Sequence, residues 1–235
     1  MNRTLRNTIT LSIATLAVLG AGASPALAAT PSPSPAHHSL ADIQARAKAK
    51  TDARIASLDK AISRVNAAKH LTDADRTTIL ATLNGDVAGM NTVEAKIAGD
   101  TDASVAAKDY ATIFTDYRVY AVAIPQSRLA AVADRISGAT ITRLTKAHDA
   151  LAANLAAHPS KSTPTLVADL ADMASQTAAG SSAVEGLAAS SLAVTPDEYN
   201  ANHDALSSER SAAKTAAAAV KKAAADGKAV RAALR

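Results

Sequence analysis

Apolar side chains recur along this chain at helical spacing from Leu40 onward. Ile55, Leu58, Ile62 and Val65 follow one another at 3-4-3 intervals, and Arg54, Asp59, Lys60 and Arg64 fill the other face. The pattern breaks at His70-Leu71. Thr72 then reads as an N-cap, with Asp73 and Asp75 in the first turn, where acids suit the helix dipole. Leu80, Leu83, Val87, Met90 and Ile97 carry the next stripe, which ends at Gly99, and Thr101-Asp102 opens a further short helix. Leu129, Val132, Ile136, Leu144, Leu151 and Leu155 mark a long helix that stops before Pro159, with Pro125 as its first-turn proline. Leu166, Leu170, Met173, Val184 and Leu187 continue the pattern, with Gly180 on the same seam.

The last helix is predicted over 196–235. Thr195-Pro196-Asp197-Glu198 combines a threonine cap, a first-position proline and a glutamate at the third position, which is a capping box. Its seam would be Tyr199, Leu206, Ala213, Ala217, Val220, Val230 and Leu234, with Gly227 as a weak point costing about 1 kcal/mol against alanine. Between the helices, Tyr117–Ile124 is rich in β-branched residues and runs into Pro125. That stretch predicts an extended crossover near 117–124. The expectation is therefore an all-α fold, an elongated helical bundle or antiparallel, coiled-coil-like helices, with residues 39–194 forming the bundle and 195–235 a long basic helix.

Composition supports helices and restricts chemistry. Alanine supplies 61 of 235 residues, and aromatics only 2%. Strands draw on aromatic and β-branched residues, so sheet folds are disfavoured. Alanine seams bury little area, at roughly 25 cal/mol per Å², so stability must come from length and close packing. So narrow a seam on the last helix also suggests self-association. The absence of cysteine excludes disulfide scaffolds, thiolate zinc sites, iron–sulfur clusters and cysteine nucleophiles.

The first residues read as an address. Arg3 and Arg6 precede an apolar run from Ile9 to Ala23, and Ala26-Leu27-Ala28 offers a small-residue cleavage site. Residues 1–28 are thus expected to be a signal peptide for the general secretory route, cleaved near Ala28-Ala29. The mature chain would be secreted or extracytoplasmic, with no transmembrane segment. Residues 29–38 form a Pro/Ser-rich linker that ends in His37-His38. Two histidines on such an arm do not complete a metal site, and no metal or cofactor is expected.

Charge is divided along the chain. Arg210 to Arg235 holds seven basic residues against Asp226 alone, while 29–209 holds sixteen basic and twenty acidic residues. Lys214, Lys221, Lys222, Lys228 and Arg231, set among alanines, form a candidate polyanion-binding face, suited to wall or extracellular glycans, teichoic acid or released DNA. The alternative is a solvated helix face that complements the acidic body.

Four of the five aromatics cluster at Tyr110, Phe114, Tyr117 and Tyr120. They could plug the core between thin helices. They could also form a binding site, in which Tyr117, Arg118, Tyr120, Gln126 and Arg128 offer phenols, guanidinium groups and an amide to a sugar or an anion. Both readings stay open here. Catalytic patterns are missing: there is no G-x-S-x-G, P-loop or glycine-rich dinucleotide turn, and His148-Asp149, His158 and His203-Asp204 are not at zinc-helix spacing.

The stretch Thr115–Gln126, with Arg128-Leu129 and Ala133-Asp134-Arg135, together with upstream Leu71–Arg76, resembles a group of secreted, alanine-rich helical proteins of actinobacteria. The resemblance spans roughly 40–156, is specific at 115–135 and omits the C-terminal helix. It implies localisation and fold, and it carries over no functional residue. The leading expectation is a non-catalytic, secreted or envelope-associated interaction or scaffold protein. The alternative is a polyanion-binding, adhesin-like module working through the basic helix.

Overall fold

A computed structural model describes residues 39–235; the expected signal peptide, the spacer and the His37-His38 pair lie outside the described residues. Each of the first helices starts where a side chain satisfies its free N–H groups. Ser39 caps α1 (Leu40–Ala67) through a capping box with Asp42, Thr72 caps α2 (Asp73–Gly99), and Asp102 caps α3 (Ala103–Thr115). The start of α1 lies against the end of α2, because the Gln44 amide donates to the carbonyls of Ile97, Ala98 and Asp100 at 3.1, 3.2 and 3.1 Å. The two helices are therefore antiparallel. Leu58, Leu83, Met90, Ile97 and Ile113, all fully buried, form the first core with α3.

The expected extended crossover is not extended. From Val119 to Ala157 the chain stays helical: a π-helical turn (Val119–Ala123), α4 (Ile124–Asp134), a second π-helical turn (Arg135–Thr140) and α5 (Ile141–Ala157). Burial overrides the weak helix propensity of the β-branched run, since Val119, Val122 and Ile124 all enter the core. Pro125 also lies inside this rod rather than at its start. It has no N–H to donate and would crowd an α-helical turn behind it. The wider π turn, closed by Ile124 N–H to the Val119 carbonyl, relieves that conflict.

The remaining helices are α6 (Pro164–Val184), α7 (Leu187–Ala193), α8 (Pro196–Ala201) and α9 (Ser207–Ala233). The capping box at Thr195 forms as expected, but the helix it opens is short. The Asn202 side chain accepts the Asp204 N–H at 3.0 Å, an Asx turn that ends α8 before α9 begins. Alpha9 runs antiparallel to α6. Lys222 reaches Asp172, while Val220, earlier in α9, lies against Gly180, later in α6.

The buried seam of α9 is Ala216, Ala219, Ala223, Asp226, Gly227 and Val230. Ala217, expected on that seam, is exposed. Gly227 is not a weak point: a Cβ there would lie 2.9 Å from Met173 Sδ, so the missing side chain lets the helices close. Because α6 and α5 cover this seam within the chain, the narrow seam no longer argues for self-association.

Leu144, Leu151, Leu155, Leu170, Met173 and Val230 make the second core, and Ala133, Ile136, Val184 and Leu187 a third at the second π turn. Alpha4 thus ties the α1–α3 bundle to the α5–α6–α9 bundle. No strand occurs among the described residues, and the all-α helical bundle stands. No helix among them is long and apolar enough to cross a membrane.

Candidate functional site

The aromatic crossover is held from several sides. Tyr117 lies on Gly89 of α2, its ring filling the space that a Cβ would take. Tyr120 is half exposed, and its hydroxyl lies 3.1 Å from both Ser57 Oγ and the Ala53 carbonyl of α1. Beneath it sits Arg54, which the sequence pattern assigns to the solvent face. The structure buries it to 8% exposure, with its guanidinium 4.5 Å from the Phe114 ring centre and 5.2 Å from that of Tyr120. Burial works against this charge, and the two π faces together with the Lys50 carbonyl, which accepts from Nη1 at 3.1 Å, offset it.

Arg118 adopts left-handed angles (φ 43°), a conformation that favours glycine. Its Nε donates to Asn200 Oδ1 at 2.6 Å, its guanidinium stacks over Tyr199, and Asn200 in turn donates to the Thr115 carbonyl at the end of α3. These contacts from α8 and α3 hold the strained residue in place. Gln126 is buried and donates to the Leu192 carbonyl of α7 at 3.3 Å. Arg128 faces elsewhere. The five residues therefore do not converge on one pocket; four of them lock the crossover to four different helices.

Arg128 belongs instead to a cleft of about 440 Å³ between the end of α1 and α4. Its floor is Ala61, Val65, Ala68, Leu71, Ala131 and Val132, and its rim carries Arg64, Lys69, His70, Arg128 and Arg135. A second cavity, about 550 Å³, shares His70 and Arg135 with the first and adds Arg143. A third, about 290 Å³, shares Thr140 and Arg143 with the second and adds Lys228 and Arg231 of α9. Three adjoining hollows thus follow one face of the molecule. They are lined by seven arginines and lysines and one histidine, without an aspartate or glutamate. All eight are exposed, and none forms an ion pair among the described residues.

Local structure explains why the face stays basic. The Arg76 guanidinium donates to the carbonyls of Val65, Asn66 and Ala68, which caps α1 beside the cleft. Asp134, in the same α4 as Arg128, turns inward and accepts the Thr72 N–H at 2.7 Å. Burial raises its pKa, and the Thr72 hydrogen bond opposes that rise.

Of the tail cations expected to bind polyanions, Lys228 and Arg231 join this face. Lys214 and Lys221 are exposed elsewhere on α9. Lys222 is already neutralised: it pairs with Asp172 at 2.5 Å and Asp226 at 2.6 Å, and these carboxylates raise its pKa. Asp226 is itself buried, as is Asp134, so these two carboxylates lie neither in a helix cap nor on a solvent face. Sequence reasoning missed Arg64, Lys69, His70, Arg135 and Arg143. The one signal available was Arg128 and Arg135, seven residues apart and hence on one helix face.

Outside the basic face, the described histidines offer no convergent chemistry. His148 Nδ1 lies 3.1 Å from Asp149, His158 against the Asn154 carbonyl, and His203 against the Tyr199 ring. No group of three metal-binding side chains occurs among the described residues. No protein-family model, curated protein or solved structure matches the chain.

Proposed function

We propose that the protein is a non-catalytic, extracytoplasmic helical module that binds a polyanion along the face running from Arg64 to Arg231. The observation that carries this reading is the run of three adjoining hollows lined by cations and by no carboxylate. The expected signal peptide directs the choice of polymer to wall or extracellular polyanions, such as teichoic or glycuronic polymers, rather than chromosomal DNA. Kinship with secreted, alanine-rich helical proteins of actinobacteria is part of the same proposal, supported by the residues of Leu71–Arg76 and Thr115–Arg135.

Such binding is dominated by charge, tolerant of sequence and steeply salt-dependent. It takes precedence over a scaffold role by self-association, because α9 is covered within the chain. The test is retention of the mature protein on heparin or immobilised teichoic acid, against a variant carrying Arg135→Gln, Arg143→Gln, Lys228→Gln and Arg231→Gln. Retention above physiological salt that the variant loses supports the reading. Elution of the wild type below physiological salt removes it. Deletion of 210–235 is not a usable control, since it would strip α9 from α6.

A further inference from the structure

The hollow at the end of α1 differs from its two neighbours. Its floor, Ala61, Val65, Ala68, Leu71, Ala131 and Val132, carries no polar side chain, and Ser127 at its edge already donates to the Ile124 carbonyl at 2.8 Å. A polymer of sugars or phosphates would leave that floor unused, since a charged or hydroxylated group placed there would lose water without gaining a partner. The rim, by contrast, holds Arg64, Lys69, Arg128 and Arg135, long side chains whose stems extend the apolar wall while their heads reach solvent. A volume of about 440 Å³ falls in the range of small-molecule sites. From Ala61 to Ala68 the floor runs about 10 Å at the helical rise, which suits a short alkyl chain laid along α1.

We propose that the cleft between α1 and α4 binds a single-chain aliphatic carboxylate, with the alkyl chain on the alanine–valine floor and the head group held by Arg128 and Arg135. Charge complementarity selects the sign of the head, and the apolar floor selects the tail. A guanidinium head favours a planar carboxylate, which accepts paired N–H donors. This inference shares the basic face with the polyanion reading but not its far end, because Arg143, Lys228 and Arg231 lie outside this cleft.

The test is calorimetric titration of the mature protein with hexanoate, octanoate and decanoate below their micelle concentrations, beside decyltrimethylammonium of matched chain length. Affinity is expected to rise roughly fourfold per added CH₂ until the floor is filled, with the cationic amphiphile at least tenfold weaker than decanoate. Ala131→Leu, which fills the floor, should abolish decanoate binding at unchanged helicity, and Ala68→Leu serves in its place if that variant misfolds. Arg128→Gln with Arg135→Gln should weaken decanoate by tenfold or more. No decanoate binding at millimolar concentration, equal binding of both amphiphiles, or indifference to the floor and rim variants would each overturn the proposal. The two readings separate cleanly. Decanoate binding should survive Lys228→Gln and Arg231→Gln, whereas heparin retention should survive Ala131→Leu. Loss of either ligand alone therefore removes only its own reading.

Discussion

Asp134, on α4, accepts the backbone N–H of Thr72 at 2.7 Å, and Thr72 is the residue that caps α2. A buried carboxylate in the connecting rod thereby fixes the turn between the first two helices, sixty-two residues upstream. Asp134→Ala removes the acceptor and leaves that N–H without its partner. Urea unfolding should show a loss of about 1–3 kcal/mol. Asp134→Asn keeps a carbonyl acceptor and relieves the buried charge, so it should lose less than half as much. Equal losses in the two variants would mean that the carboxylate's negative charge, which both remove, matters more than an acceptor of that shape for Thr72.

A second close approach lies between Gly89 and Tyr117. A Cβ on Gly89 would collide with the Tyr117 ring at Cε1, so Gly89→Ala forces the ring out of its place. In the wild-type background that overpacking should destabilise by about 1–3 kcal/mol. With Tyr117→Ala already present, the three atoms nearest that Cβ are gone and the same change gains helix propensity of about 1 kcal/mol. The sign of the Gly89→Ala effect should therefore reverse between the two backgrounds. A thermal-denaturation cycle over the four proteins measures it. Destabilisation of similar size in both backgrounds would place the constraint on Gly89 somewhere other than Tyr117.

Pattern reading reaches local chemistry and stops at tertiary neighbours. Helix starts at Thr72, Asp102 and Thr195 are legible because a cap is settled within four residues. The apolar stripes are legible because they repeat. Arg54 is not, since only the fold brings Phe114 and Tyr120 over it. The crossover at Val119–Ala123 is misread as extended because its valines favour a strand locally, while three-dimensional burial makes them helical. Alanine explains the misassigned seam on α9: with Ala216, Ala217, Ala218 and Ala219 in succession, the sequence does not mark which of them face α6. The basic face draws on α1, α4, the second π turn, α5 and α9, and no single stretch of sequence contains it.

Asp86, on α2, gives a pH signature. Burial pushes its pKa up to about 6 from an ordinary 3.8, and its Oδ2 is buried without a hydrogen-bond partner among the described residues. The folded state therefore binds this proton more tightly than the unfolded chain does. Its contribution to stability is full below about pH 4 and is lost as pH rises through about 6. Asp86→Asn removes the titration. Discounted for the partial exposure of the group, the variant should be about 1 kcal/mol more stable than wild type at pH 7. The gain should shrink towards zero near pH 4. Urea midpoints of the two proteins across pH 4–7 check this, and a pH-independent difference would assign the effect to something other than the carboxylate's charge.

Cations that look alike in sequence differ in the fold. Lys222, Lys228 and Arg231 all lie on α9 within ten residues, yet Lys222 is bound to Asp172 and Asp226 while the other two line a hollow that holds no acid. Lys222→Gln should leave polyanion affinity within about twofold, because its charge is already matched. It should instead reduce stability, since Asp226 is buried and would lose its only cation among the described residues. Lys228→Gln and Arg231→Gln should do the reverse. Each should leave the melting temperature nearly unchanged and flatten the dependence of log affinity on log salt. For every phosphate no longer neutralised, the slope should fall by about 0.9 on a duplex and about 0.7 on a single strand. Titration of a fluorescent single-stranded oligonucleotide, used as a generic polyanion, at several salt concentrations gives the slopes, and thermal melts give the stabilities. If Lys222→Gln flattens the slope as much as Lys228→Gln does, polyanion binding tracks the overall charge of the helix, and the acid-free face has no special part in it.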